Sequence, residues 1–242
     1  MSALPLVLLH GWGSHAGVWA EVIARLDLDH AVFALDFPGD GKAAGTMDEV
    51  VDELAAIAPD RCAIAGWSLG GQLALIWARR HPQQVMRLML IAATPRFVSA
   101  PGWPHGMASE VFAEFTASLT RDAAATLRRF LLLQTQGDAQ ARTVARQLEA
   151  ALALQPPPAS DGLAQTLRWL QTTDLRATLP EIAQPTLVIH GDRDRIAPPA
   201  AGEYLAAHLP QARLALLAGA AHAPFISAPD AVCQLMMDFC NE

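Results

Sequence analysis

Cysteine is scarce in this chain and lysine is almost absent. Three cysteines, Cys62, Cys233 and Cys240, are too few and too irregularly spaced for a disulfide framework, and none stands at metal-ligand spacing from histidine. Reduced thiols, a cytoplasmic setting, no metal and no cofactor are therefore expected. Cys62 falls in an apolar run and reads as a small core residue. Lys42 is the single lysine, so arginine carries the positive charge. With 24 acidic against 17 basic residues the net charge is −7, which argues against bulk binding to nucleic acid or to an anionic membrane. No apolar stretch reaches the roughly 18 residues of a membrane span. The short run from Leu4 to Leu9 has no basic segment before it and passes directly into His10-Gly11, so neither a span nor a signal peptide is read. Apolar residues, in contrast, make up 52 % of the 242 positions. That supports a large core, one α/β domain with an insertion, and no disorder.

The chain is organised around Arg61 to Gly71. Ala63 to Ala65 reads as the end of a buried strand and Leu69 to Arg80 as a helix. Between them stands Gly66-x-Ser68-x-Gly70, the spacing of a nucleophile elbow. A strand that turns into a helix within two residues crowds its backbone, and side chains at 66 and 70 would clash. Such a turn strains Ser68 and lifts its hydroxyl above the sheet edge. It also sets the N–H of Leu69 at a helix N-terminus, aimed where an oxyanion forms.

Strand and helix alternate on both sides of this point. Leu6 to Leu9 is a short buried run, followed by His10-Gly11-Trp12-Gly13. The glycines around Trp12 let the backbone bend so that the Trp12 N–H faces inward as a second oxyanion donor. Val18 to Leu26 reads as a helix and Ala31 to Leu35 as a strand, ending in a turn-rich loop from Asp36 to Gly41. Thr46 and Glu49 form a capping box for a helix that runs to about Ala58. Val85 to Ala92 is a further strand. From Thr94 to about Pro180 the pattern is helical, with helices at Ser109 to Leu119, Arg121 to Gln136, Ala139 to Leu154 and Gly162 to Leu170, and a stiff proline link at 156–158. Alternation resumes with a strand from Pro185 to His190, a helix from Pro199 to Leu209, a strand from Ala212 to Leu217 and a closing helix from Pro229 to Phe239. The pattern implies an α/β fold with a mostly parallel sheet flanked by helices. Residues 1–93 and 181–242 form the core, and 94–180 a helical cap over its active-site edge.

A serine hydroxyl needs a base, and the base needs an orienting acid. For this elbow the chain order is serine, acid, histidine. Gly191-Asp192-Arg193-Asp194 follows one late strand and Gly219-Ala220-Ala221-His222 follows the next, so both loops share the sheet edge of Ser68. Asp192 directly follows the glycine and reads as a turn residue; Asp194 is far enough out to reach the histidine loop. Of the eight histidines, only His222 lies in a loop after a strand downstream of the acid. His10 braces the oxyanion turn, His190 is a strand residue, His15 and His30 read as surface or loop positions, and His105 is a rival within the cap. Ser68, Asp194 and His222 thus form the expected triad for acyl transfer.

Leu8-Leu9-His10-Gly11-Trp12-Gly13, Gly66-Trp67-Ser68-Leu69-Gly70-Gly71 and the run from Gly219 to Ser227 (Gly-Ala-Ala-His-Ala-Pro-Phe-Ile-Ser) together resemble the α/β-hydrolase superfamily. Within it, the chain resembles the family of pimeloyl-acyl-carrier-protein methyl ester esterases of biotin synthesis. Gly102-Trp103-Pro104, the run from Arg129 to Thr135 and Thr173-Asp174-Leu175-Arg176 in the cap add to the likeness. The resemblance implies the α/β-hydrolase fold, hydrolysis of a methyl ester on a pimeloyl chain carried by acyl carrier protein, and the same triad. It also implies substrate contacts at Trp12, Ser68, Leu69, His222 and the run Phe130, Leu131, Leu132, Leu133 and Gln134. A helix cannot turn all four apolar residues of that run to one cavity, so at least two belong to the helix core. Serine at the elbow departs from dehalogenases and epoxide hydrolases of this fold, which place aspartate there.

Acyl carrier protein is acidic, so a docking face should be basic. Between Arg121 and Arg146 five arginines face Asp122 and Asp138, a local +3 in a chain of −7. Arg142 and Arg146 share one helix face, and with Arg129 they are the expected docking residues. Arg193 and Arg195 flank the acid, a departure from the family pattern, and the chain meets the His10-Gly11 strand almost at once, so the first strands of the usual sheet are expected to be short or absent. A monomer is expected, with neither nucleic acid nor membrane as partner. The competing readings are a general short-chain carboxylesterase, a carbon–carbon bond hydrolase and a slow-turnover ligand receptor.

Overall fold

The apolar runs become strands and the stretches between them helices, in a computed structural model that describes residues 4–26, 31–37, 45–155 and 159–242. His30, Lys42, most of the turn-rich loop after Asp36 and the proline link at 156–158 lie outside the described residues. Strand β1 (Leu6–Leu9) leads through a 3-10 turn (Ala16–Trp19) to α1 (Ala20–Arg25). Then come β2 (Val32–Leu35), α2 (Met47–Ile57), β3 (Cys62–Trp67), α3 (Leu69–Arg80) and β4 (Val85–Ile91). Among the described residues four helices follow without an intervening strand: α4 (Ser109–Arg121), α5 (Ala123–Gln134), α6 (Ala141–Leu152) and α7 (Ser160–Thr172). The chain closes with β5 (Thr186–Gly191), α8 (Pro199–His208), β6 (Ala212–Leu217), the short α9 (Pro224–Ser227) and α10 (Pro229–Asn241). The capping box at α2 forms as expected: Glu49 N–H donates to Thr46 Oγ1 and Thr46 N–H to Glu49 Oε2.

Among the described residues six strands pair in parallel, in the order β2-β1-β3-β4-β5-β6. In the central strands β1, β3 and β5 side chains alternate between two buried faces, which is why these read as largely apolar runs. Val7, Leu9, Ile64, Leu88, Leu90 and Val188 join α2, α3 and α8 on one face. Leu6, Leu8, Ala65, Met89, Ile91 and Ile189 join α1 and α10 on the other. The chain winds from β1 toward β2 on one side and from β3 toward β6 on the other. The order therefore reverses between β1 and β3, and a ligand crevice belongs at the carboxyl ends of those two strands. Leu9 is paired with Gly66 in register, so the turn after β1 and the turn after β3 stand side by side.

The helical insert between β4 and β5 is stapled where it leaves and returns. Asp174 accepts from Arg96 Nη1 and from Arg176 Nη2, each at 2.7 Å, and Leu175 N–H donates to Pro95 O at 2.9 Å. Trp103 lies beneath the Arg176 guanidinium, 5.5 Å from its carbon, and donates to Arg96 O. Two of the three stretches that suggested kinship in the insert, 102–104 and 173–176, are thus one structural joint. Apolar residues of α4, α5 and α7 (Phe112, Phe115, Phe130, Leu163) pack with the first face and those of α6 (Val144, Leu148) with the second, so the insert straddles the sheet edge.

Candidate active site

Ser68 is the N-cap of α3, with φ 55° and ψ −114°. A side chain in that region costs about 1–3 kcal/mol and persists only where the surroundings hold it. Here Ser68 N–H donates to Ile91 O at 3.0 Å and Ser68 O accepts from Gly71 N–H at 2.9 Å. The helix start also lies hard against the end of β1: a Cβ at position 70 would stand 2.5 Å from His10 O. Glycine at 70 is what permits the turn.

The acid and histidine loops reach the same point. His222 Nδ1–H donates to Asp194 Oδ2 at 2.7 Å, and His222 Nε2 lies 3.0 Å from Ser68 Oγ, positioned to accept its proton. All three side chains are buried. The second oxygen of Asp194 accepts from the N–H groups of Ile196 and Ala197 at 2.8 and 3.0 Å. Burial alone would push the Asp194 carboxyl up, but the imidazoles of His222 and His190 outweigh it and hold the group well below the usual carboxylate range. An ionised Asp194 in turn fixes the proton of His222 on Nδ1 and leaves Nε2 free to accept. Asp192 is exposed, and its Oδ1 accepts from Gly219 N–H at 2.7 Å, fastening the two loops as a turn residue does.

Among the described residues, the N–H groups of Trp12 and Leu69 have no protein acceptor, as two oxyanion donors require. The Trp12 ring points into the helical insert, donating to Leu163 O at 3.1 Å and meeting Phe115 and Phe130 edge-on at 5.4 and 5.1 Å. Beside it, Trp67, Leu127, Phe130, Leu131, Gln134 and Leu148 line a narrow apolar cleft of about 10 Å³. Gln134 is buried there with its Oε1 unpartnered among the described residues. Leu132 departs from the expected contact run: at 62 % exposed it faces solvent. One residue advances a helix by about 100°, so 130, 131 and 134 share the inward face and 132 cannot. Leu133 is half-buried against the core on the first sheet face and does not line the cleft.

The remaining histidines separate by packing. His10 Nδ1–H donates to Gly11 O at 2.8 Å and its ring stacks on Phe37 at 3.9 Å. Burial pushes this imidazole down to about 4, against the pull of Gly11 O and Asp36. His15 lies in the loop before the 3-10 turn and is buried there; its Nδ1 accepts from Gly17 N–H and caps the turn. His105 packs edge-on to Trp103 at the joint of the insert. His190, read as a plain strand residue, stands 3.5 Å from Asp194 Oδ2 while its Nε2–H donates to Ala197 O at 2.7 Å. Trp67 was also missed. It donates from Nε1 to His222 O at 2.7 Å, and its place as the x of Gly-x-Ser is the signal that pointed to it.

Arg142 and Arg146 are exposed on α6, with no carboxylate within 4.0 Å among the described residues. Arg129 is exposed but lies 3.7 Å from Glu114, which offsets part of its charge. Cys62 is buried and its thiol is pushed up to about 12 by burial, so it stays protonated and inert. Among the described residues no three His, Cys, Asp or Glu side chains converge as a metal site needs, and no helix is long and apolar enough to cross a membrane.

The α/β hydrolase fold family matches residues 5–229 of this chain. A pimeloyl-acyl-carrier-protein methyl ester esterase of Nitrosomonas europaea is 42 % identical over 231 residues, covering 93 % of this chain and 91 % of that protein. One of Xanthomonas axonopodis pv. citri is 44 % identical over 240 residues, covering 97 % and 94 %. Among solved structures, an esterase from Exiguobacterium antarcticum superposes with a TM-score of 0.86 at 22 % identity, covering 100 % of this chain and 93 % of that one. The chain belongs to the α/β-hydrolase fold family and, within it, to the family of the pimeloyl-acyl-carrier-protein methyl ester esterases.

Proposed function

We propose that the protein is a serine carboxylesterase that cleaves the methyl ester of pimeloyl-acyl-carrier protein, giving methanol and the free ω-carboxylate needed for biotin synthesis. The reading is carried by the hydrogen-bonded row Ser68–His222–Asp194 in a chain more than 40 % identical, end to end, to esterases of that name. In the first half-reaction His222 Nε2 takes the hydroxyl proton as Ser68 Oγ attacks the ester carbonyl. The Trp12 and Leu69 N–H groups hold the oxyanion, and Asp194 stabilises the imidazolium. His222 then gives its proton to the departing methoxide, which leaves as methanol. In the second half a water, deprotonated by His222, cleaves the acyl-serine and returns the proton to Ser68.

In this reading residues 94–180 act as the cap. Trp12, Phe130 and Leu131 supply apolar wall for the acyl chain, and the unpartnered Gln134 Oε1 supplies a polar contact. Arg142 and Arg146, with a lesser share from Arg129, face the acidic carrier, and the exposed Arg193 and Arg195 extend the basic rim. The enzyme is taken to act as a cytoplasmic monomer on that carrier, away from membrane and nucleic acid. The test is methanol release from the carrier-bound ester by wild type and by Ser68→Ala. Loss on the order of 10⁶ in kcat with an unchanged fold is expected; a variant retaining more than a few per cent of activity would remove Ser68 as nucleophile.

A further inference from the structure

Three backbone groups of the loop that carries His222 bond to the end of α5 and the turn between α5 and α6. His222 N–H donates to Gln134 O at 3.1 Å, and Gly219 O accepts from Ala139 N–H at 2.8 Å. Between them, Ala221 N–H donates to Asp138 Oδ2 at 2.9 Å. This last bond is the one made by a side chain, and it is buried on both sides. In the sequence Asp138 is one negative charge among the expected docking arginines. Its carboxylate instead turns inward, and its second oxygen, Oδ1, accepts from Gln140 N–H at 2.7 Å ahead of α6. Arg193, next to the acid, donates from Nη1 to Gly137 O at 3.3 Å. The α5–α6 turn is thereby tied to both the histidine loop and the acid loop.

We infer that Asp138 is a positioning residue for the proposed triad: through Ala221 N–H it sets where His222 stands relative to Ser68 and Asp194. The inference rests on the triad reading above. An ionised carboxylate suits the task because both its oxygens accept, and charge-assisted bonds to N–H groups are stronger and shorter than neutral ones. An asparagine offers a single acceptor and must turn its NH₂ toward one of the two N–H donors. Removing the carboxylate leaves the Ala221 N–H buried and unpaired, which the loop relieves by shifting. A displacement near 1 Å at a general base costs up to about 100-fold in rate. The consequence falls on the chemical step, because neither the apolar cleft nor the exposed arginines are touched.

The experiment compares wild type, Asp138→Asn, Asp138→Ala and Ser68→Ala on p-nitrophenyl acetate and on the carrier-bound methyl ester, at a temperature far below melting. Asp138→Ala should lower kcat about 10- to 100-fold on both substrates and leave KM within roughly two-fold. Asp138→Asn, which keeps one acceptor, should recover part of that loss. A purely structural role would lower the melting temperature of Asp138→Ala with kcat untouched, and a docking role would raise KM on the carrier ester alone; either result overturns the inference. Should Asp138→Ala fail to fold, Asp138→Asn decides: wild-type kcat overturns the proposal and a reduced kcat at unchanged KM supports it. Ser68→Ala separates the two levels. If it remains active, the triad reading falls and this role with it; if it is inactive while both Asp138 variants turn over normally, only the role of Asp138 falls.

Discussion

Gly191→Ala should disable the site without touching any of its side chains. Gly191 ends β5, directly under the histidine loop. A methyl placed there would stand 2.6 Å from the carbonyl carbon of Ala220, with the carbonyl oxygens of Ala220 and Ala221 nearer still, whereas ordinary contact begins at 3.4 Å. At least 0.8 Å must therefore be found, more for the two oxygens, and the obstacle is backbone that no rotamer change can move. Both loops that would yield are engaged: Asp194 N–H donates to Gly191 O and Arg193 N–H to Ala220 O. If the histidine loop retreats by that amount, the 2.7 Å contact between His222 Nδ1 and Asp194 Oδ2 opens toward roughly 3.5 Å and ceases to be a hydrogen bond. Overpacking of this kind costs about 1–3 kcal/mol of stability, and misplacement of the base about 100-fold in rate. The assay is kcat/KM on p-nitrophenyl acetate, beside a thermal melt followed by circular dichroism. Activity within about two-fold of wild type in a variant whose melt shows the strain would refute the claim that the spacing of these two loops sets the triad.

Three further outcomes are expected. His10 resists protonation to about 4, whereas an unfolded histidine accepts a proton near 6.5. Its neutral burial therefore contributes fully above pH 6.5, and roughly 3 kcal/mol is lost as the pH falls toward 4. His10→Asn should flatten that part of the stability–pH curve in urea melts, and an unchanged slope would refute it. Arg142→Glu combined with Arg146→Glu should raise KM for the carrier-bound ester by roughly 5- to 10-fold at low salt and leave free esters unaffected; equal loss on both would mean that these arginines support the fold. Leu132→Ser should leave both melting temperature and KM near wild type, within about 0.5 kcal/mol, because its side chain faces solvent; a marked rise in KM would return Leu132 to the substrate contacts.

The alternation of strands and helices was legible because both faces of the central strands β1, β3 and β5 are buried, so these read as largely apolar runs. The position of the candidate site followed from the same pattern. In a parallel sheet every loop after a strand opens on one edge, and Trp12, Ser68, Asp194 and His222 each follow a strand. What escaped were contacts made by the backbone across long separations. Trp67 Nε1 reaches the carbonyl of His222 from 155 positions away, and Asp138 reaches Ala221 N–H from 83. The Asp138 contact leaves no spacing or residue type by which to recognise it, and for Trp67 the position between Gly66 and Ser68 marks the residue but not its partner. Leu132 was misplaced for another reason: the likeness marked out a run of consecutive residues, while a helix divides any such run between two faces. His15 stands in a loop, as one of its two expected readings had it, but its burial was not legible, because a histidine can cap a 3-10 turn with its own ring nitrogen, a use that composition does not reveal.

The most direct measurement is kcat/KM for pimeloyl-acyl-carrier-protein methyl ester beside the same methyl ester without the carrier, at low and high salt. The account predicts a large preference for the carried substrate that shrinks as salt rises, because the basic rim of the cap recognises an acidic partner. Equal rates on the two esters, or a faster rate on the free one, would contradict it and leave a serine carboxylesterase that makes no use of the carrier.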